Sequence, residues 1–153
     1  MVALLLACSS GLNTAESRVD GRTWSSDEVG LALDFPAGWA VATDPQHFRG
    51  GLDATLFEAS DGSTQLALTW HPVPALGLEQ ASALDLLHLL APVVRVRTDE
   101  RYRLQRLPWC HDVVERRLEG WQQLALRAPG GLVLVQAWSG DARDLVCDGV
   151  RWL

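Results

Sequence analysis

Few side chains here have the type and spacing to do chemistry. Cys110, His111 and Asp112 stand in a row, and a thiol beside an imidazole can be activated as a nucleophile. The run reads as the opening of a strand, however, where neighbouring side chains leave opposite faces, so adjacency in sequence argues against contact. His71 closes an alternating stretch, and with His111 and Asp112 it could hold a metal ion, but the spacing matches no ligand motif. His47 lies in a loop, and His88 occupies a boundary position of a Leu-rich helix. Arg95, Arg97, Arg101, Arg103 and Arg106 form a basic stripe able to face anionic headgroups; Asp99 and Glu100 balance it as on a solvated face. No Walker loop, Gly-x-Ser-x-Gly elbow or His-Glu-x-x-His helix occurs. The reading assigns no catalytic residue, no metal ligand and no cofactor. A metal-dependent enzyme using His71 and His111 stands as a contrasting alternative.

The cysteines carry a second kind of chemistry. Val2 to Ala7 is a short apolar run with Cys8 directly after it. Leu5-Leu6-Ala7-Cys8 resembles the bacterial lipobox, the cleavage and lipidation signal of envelope lipoproteins. The resemblance implies that residues 1–7 are a signal peptide and that Cys8 becomes an acylated N-terminus. Two or more acyl chains anchor a protein stably where one does not. Ser9 directly after the cysteine, rather than Asp, resembles outer-membrane sorting. The expected partner is therefore a membrane, held through acyl chains on Cys8, with the domain in the periplasm. The apolar run is far below the ~20 residues of a membrane-spanning helix. With Cys8 consumed, two of the three cysteines remain, the parity an oxidising compartment favours. Cys110 opens a strand, and Cys147 lies in a closing helix beside Val146 and Val150. A disulfide between Cys110 and Cys147 would pin that helix to the sheet.

Composition narrows the class. The chain has 153 residues, 48% of them hydrophobic and 21% charged, which suits one globular domain rather than a disordered chain. The formal net charge of −6 disfavours nucleic acid, which selects basic faces.

The elements that must position these residues follow from periodicity. Residues 8–28 read as the lipidated cysteine and a flexible tether, with the folded domain at 29–153. Leu31, Leu33 and Phe35 alternate with smaller or polar residues, the period of a half-buried strand, and Pro36-Ala37-Gly38 ends it. Strands are expected near Val41, over 55–59 and over 65–71, with a tight Asp61-Gly62 turn between the last two. Leu78 to Leu90 carries an apolar stripe at helical spacing. Four strands follow, over about 102–107, 112–118, 124–128 and 132–138, and then a short helix from Ala142 with Val146, Val150 and Leu153 on one face. Strands in runs rather than alternating with helices give an α+β class: an antiparallel sheet with the Leu-rich helix and the C-terminal helix packed on it.

The segment Phe35-Pro36-Ala37-Gly38-Trp39 is similar to the opening of the Mog1/PsbP-like (DcrB-like) family, where an aromatic, a Pro, a Gly and a Trp close the first core strand. The resemblance implies an antiparallel sheet flanked by helices and a structural role for Phe35, Pro36, Gly38 and Trp39. It does not imply one activity. The function expected is that of a non-enzymatic envelope lipoprotein presenting a small domain for protein contact or assembly. The alternative is a small-ligand-binding lipoprotein with a pocket between the helix and the sheet, lined by Trp39 or Trp70.

Overall fold

The computed structural model describes residues 15–43, 55–72, 80–90 and 103–153. The described residues form eleven strands and two short helices: β1 (Arg18–Asp20), β2 (Thr23–Ser26), β3 (Leu31–Asp34), β4 (Ala40–Ala42), β5 (Thr55–Ser60), β6 (Gln65–Pro72), α1 (Ala83–Leu90), β7 (Arg103–Leu107), β8 (Val113–Leu118), β9 (Trp121–Ala128), β10 (Gly131–Trp138), α2 (Arg143–Gly149) and β11 (Val150–Trp152). They build two antiparallel sheets. The larger runs β4-β5-β6-β10-β9-β8-β7 and the smaller β1-β2-β3-β11.

Alternation assigns the side chains to layers. Leu66, Leu68, Trp70, Leu124, Leu126, Val133 and Val135 leave one face of the larger sheet. There they meet Trp24, Leu31 and Leu33 of the smaller sheet, with Leu145 and Val146 of α2. The opposite face carries Val114, Ala125, Leu132 and Leu134, which Ala83, Leu86 and Leu87 of α1 cover. Leu132 to Val135 is an unbroken apolar run because β10 is buried on both faces.

This architecture corrects the α+β expectation. The described residues are mostly antiparallel strand, in two sheets with only two short helices among them, and a second sheet covers the face expected to take the C-terminal helix. Two local effects misled the pattern. Val146, Val150 and Leu153 have helical spacing, but α2 stops at Gly149; a Cβ there would lie 2.5 Å from the Asp34 carbonyl oxygen. Val150 then turns extended (φ −73°, ψ 130°), and Trp152 pairs with Leu31. The second effect is polarity. Thr23–Ser26 shows no apolar alternation, yet Trp24 is 0% exposed and Ser25 and Ser26 are buried. Ser26 uses its polar atoms locally: its carbonyl accepts from Gly30 at 2.9 Å and its hydroxyl from the Val29 amide at 3.3 Å.

The tether is corrected with it. The folded unit reaches back to Ala15, which is buried in the core, so residues 15–28 belong to the domain and not to a linker. Cys8 and residues 1–7, expected to be a signal peptide, lie outside the described residues, as do His47, Arg95, Arg97 and Arg101. The Leu-rich helix starts later than Leu78 would place it. Ser82 and Asp85 form a reciprocal cap, the Asp85 amide donating to the Ser82 hydroxyl at 3.2 Å and the Ser82 amide to the Asp85 carboxylate at 3.0 Å, which satisfies first-turn donors.

The sheets lock together where two turns interleave. The Gly130 amide donates to the Val29 carbonyl at 3.2 Å, and Gly30, at φ +76°, sits against the Pro129 ring. A Cβ on Gly130 would fall 2.3 Å from the Glu28 carbonyl oxygen. Gly130→Ala should therefore force the turns apart and cost about 1–3 kcal/mol. Urea unfolding should show a lower midpoint at unchanged slope; an unmoved midpoint would mean that the turns separate freely.

Candidate functional site

The sandwich has two poles. At one, the end of β3, the β5–β6 turn and the start of α2 surround an open-sided groove of about 500 Å³. Its apolar floor is Phe35, Trp39 and Leu145; its rim holds Asp34, Asp61, Asp141, Asp144 and Asp148, with Arg22 the one cation among the described lining residues. Phe35 and Trp39 pack with ring centroids 5.7 Å apart. Phe35 is buried, whereas Trp39 is half-buried and shows part of its ring to the groove. Trp39 thus anchors the core edge and lines the groove at once.

The aspartates differ in what they already do. Asp34 accepts from Thr23 Oγ1 at 2.6 Å and from Arg151 Nε at 2.7 Å; the Arg151 and Thr23 hydrogen bonds hold its carboxyl below the ordinary range. Asp61 closes its own turn by accepting from the Thr64 amide at 2.7 Å and the Ser63 amide at 2.9 Å. Asp144 and Asp148 have no hydrogen-bond or ion-pair partner among the described residues. Four positions apart on α2, they stand side by side on one helix face, facing the groove.

A charged network fixes the α2 end of this groove. Glu115 on β8 is 3% exposed. Arg143 grips it with two bonds, Nη2 to Oε1 at 2.7 Å and Nε to Oε2 at 3.2 Å. Gln122 donates to Glu115 at 2.8 Å and to Asp141 at 2.9 Å, and its carbonyl accepts from the Ala142 amide at 2.8 Å. Arg117 bridges Asp141 at 2.7 Å and Glu115 at 3.3 Å. Burial pushes the Glu115 carboxyl up, but the bonds from Arg143 and Gln122 outweigh it and hold the group below its usual value. Burial also opposes ionisation of Asp141, yet Arg117, the Arg143 amide and Gln122 lower it to about 2. Both carboxylates stay charged at neutral pH, and α2 is held by its first turn.

The residues singled out in the sequence fall elsewhere. Cys110 and Cys147 are joined in a disulfide with Cα atoms 4.9 Å apart, the pairing expected for them, so the Cys110 thiol is not available as a nucleophile. His111 lies in a turn rather than a strand, at φ 50° with Asp112 at φ 57°. Its Nε2 is 3.2 Å from the Cys147 carbonyl oxygen. Asp112 pairs with Arg106 at 2.8 Å. His71 leaves β6 toward the α1 face of the larger sheet, while His111 packs at α2 on the other side, so the two do not converge. Burial pushes His71 down to about 4, which makes it a neutral ring at pH 7. Among the described residues, no three His, Cys, Asp or Glu side chains are grouped to hold a metal ion. The groove also differs in place from the pocket expected between the Leu-rich helix and the sheet, since it opens beside α2.

Sequence reasoning missed Glu115, Gln122, Asp141 and Arg143, and missed the groove acids as a group. One signal was readable: Asp144 and Asp148 at helical spacing after Asp141 make an acidic face on a short helix. Among the described residues, no helix is long and apolar enough to cross a membrane.

No family model matches the sequence, and no curated protein does. Among solved structures, the chain is similar to the solution structure of cyanobacterial PsbP (CyanoP) from Synechocystis sp. PCC 6803, at 12% identity and a TM-score of 0.42, over 97% of this chain and 99% of that one.

Proposed function

We propose that the chain is a non-enzymatic envelope lipoprotein, anchored through an acylated Cys8, whose domain holds a cationic segment of a partner protein in the α2 groove. The observation that carries this reading is the groove itself, where Asp144 and Asp148, without partners among the described residues, stand beside the Phe35–Trp39 floor. An arginine or lysine side chain suits both parts, with its stem on the aromatic surface and its charge at Asp144 and Asp148. A small-molecule pocket would enclose most of its ligand; an open-sided groove suits an extended chain. The Cys110–Cys147 disulfide supports an oxidising location, in keeping with the periplasmic face of the outer membrane.

The test is binding of an arginine-rich peptide, followed by calorimetry in low salt. Binding should weaken as salt rises. The Asp144→Asn, Asp148→Asn double variant should bind about three- to tenfold more weakly, since each exposed charge contact contributes about 0.2–1 kcal/mol. Equal affinity of variant and parent, or no binding in low salt, would refute the groove as the site.

A further inference from the structure

The pole opposite the groove carries a different surface. The β2–β3 turn, the β7–β8 turn and the β9–β10 turn all lie there, as the Gly130–Val29 bond and the Val114–Ala125 register require. Both ends of the described chain arrive at the same place. The Leu153 amide donates to the Gly30 carbonyl at 3.1 Å, and the Glu16 amide donates to the Glu28 carboxylate at 3.3 Å. Three large apolar residues are exposed on this pole: Trp109 at 70%, Trp152 at 42% and Leu153 at 55%. They sit on a rigid base. The disulfide ties the Trp109 turn to α2, and the His111 ring meets Trp152 edge-on at 5.7 Å.

We infer that this pole faces a lipid bilayer, with Trp109 and Trp152 seated at the headgroup level. The inference rests on the lipoprotein reading, because the anchor decides which pole meets lipid. Six residues, 9–14, separate the acylated position from Ala15, and such a stretch reaches at most about 25 Å when fully extended. The pole where Ala15 enters is therefore confined near the membrane, and tethering raises the effective concentration of its exposed side chains at the surface. Tryptophan favours the membrane–water interface, where its ring is solvated at one edge and buried at the other. Glu16, Asp27 and Glu28 are exposed on the same pole. Their charge disfavours an anionic surface, so the surface that fits is zwitterionic. The opposite pole, with the acidic groove, then points away from the membrane toward a partner.

The experiment uses the full acylated chain reconstituted in phosphatidylcholine vesicles brominated near the glycerol end of the acyl chains. Bromine quenches tryptophan emission on contact. The parent should be quenched, and the Trp109→Ser, Trp152→Ser double variant should lose about half of that quenching or more, as expected if these rings are the interfacial ones. Trp109→Ser alone, at the most exposed position, should lose a measurable share with unchanged melting, which separates lipid contact from a folding defect. Adding phosphatidylglycerol should reduce quenching. Flotation and the mass of the N-terminal peptide read the anchor independently. An acylated, floating protein whose quenching is the same with and without Trp109 and Trp152 overturns this inference and leaves the anchor standing. An unacylated product overturns the anchor and the inference with it.

Discussion

Replacing Glu115 with alanine should destabilise the protein by about 1.5–3 kcal/mol, because it removes a buried carboxylate that accepts several hydrogen bonds, while its partners Arg143 and Arg117 keep 34% and 40% of their side chains in water. Glu115 receives bonds from Arg143, Gln122 and Arg117. Without it, Arg117 keeps its bond to Asp141, and Arg143 loses the carboxylate that it grips with two bonds. The first turn of α2 would loosen, and the groove rim at Asp144 and Asp148 with it. Urea denaturation of the variant would measure the loss, and a change below about 1 kcal/mol would show that the network contributes little. The Glu115→Gln, Arg143→Met double variant should recover part of the loss, since it removes both charges together.

Acid should act through the same groups. The folded carboxyls of Glu115 and Asp141 lie below their ordinary values of 4.5 and 3.8, so the unfolded chain takes up these protons first. Their contribution is complete above about pH 4.5 and is lost as pH falls toward about 2, the folded value of Asp141. His71 adds an earlier step. Its value falls from 6.5 to about 4 on folding, so stability declines as pH drops through that interval. In Glu115→Ala the step below pH 4.5 should flatten while the His71 step remains.

Reduction of the Cys110–Cys147 disulfide should cost on the order of 4 kcal/mol, the chain-entropy value for the 37-residue separation. For a chain of this size that corresponds to a fall in Tm of roughly 8–16 °C. The bond joins the β7–β8 turn to α2, and its loss frees the segment that leads into β11. A Cys110→Ala, Cys147→Ala variant should melt at the temperature of the reduced protein and be insensitive to reductant. Unchanged melting after complete reduction, checked by thiol count, would contradict the assignment.

How much of this was legible depended on where each residue's burial comes from. The strands of the larger sheet were readable because their apolar residues repeat at a fixed period. Trp24 was not, because its neighbours Thr23, Ser25 and Ser26 are polar and their burial arises from sheet pairing far along the chain. Val150 and Leu153 matched a helical stripe, but the pairing of β11 with β3, remote in sequence, takes Val150 and the residues after it into a strand. The disulfide followed from parity and from the placement of two elements. The groove was not legible as a whole, since its acids come from three separate segments that only the fold brings together. The Glu115 network was hidden for a related reason: charged residues on strands read as solvent-facing until the layer above them is known.

The smaller sheet joins the two ends of the described chain, with β11 paired to β3 and Arg151 bonded to Asp34 across 117 residues. Contacts of such separation make folding slow, because a long loop must close before the pairing is rewarded. They also set an order of events. The core between the sheets is complete only once β11 has paired with β3, because Val150 on β11 is part of it.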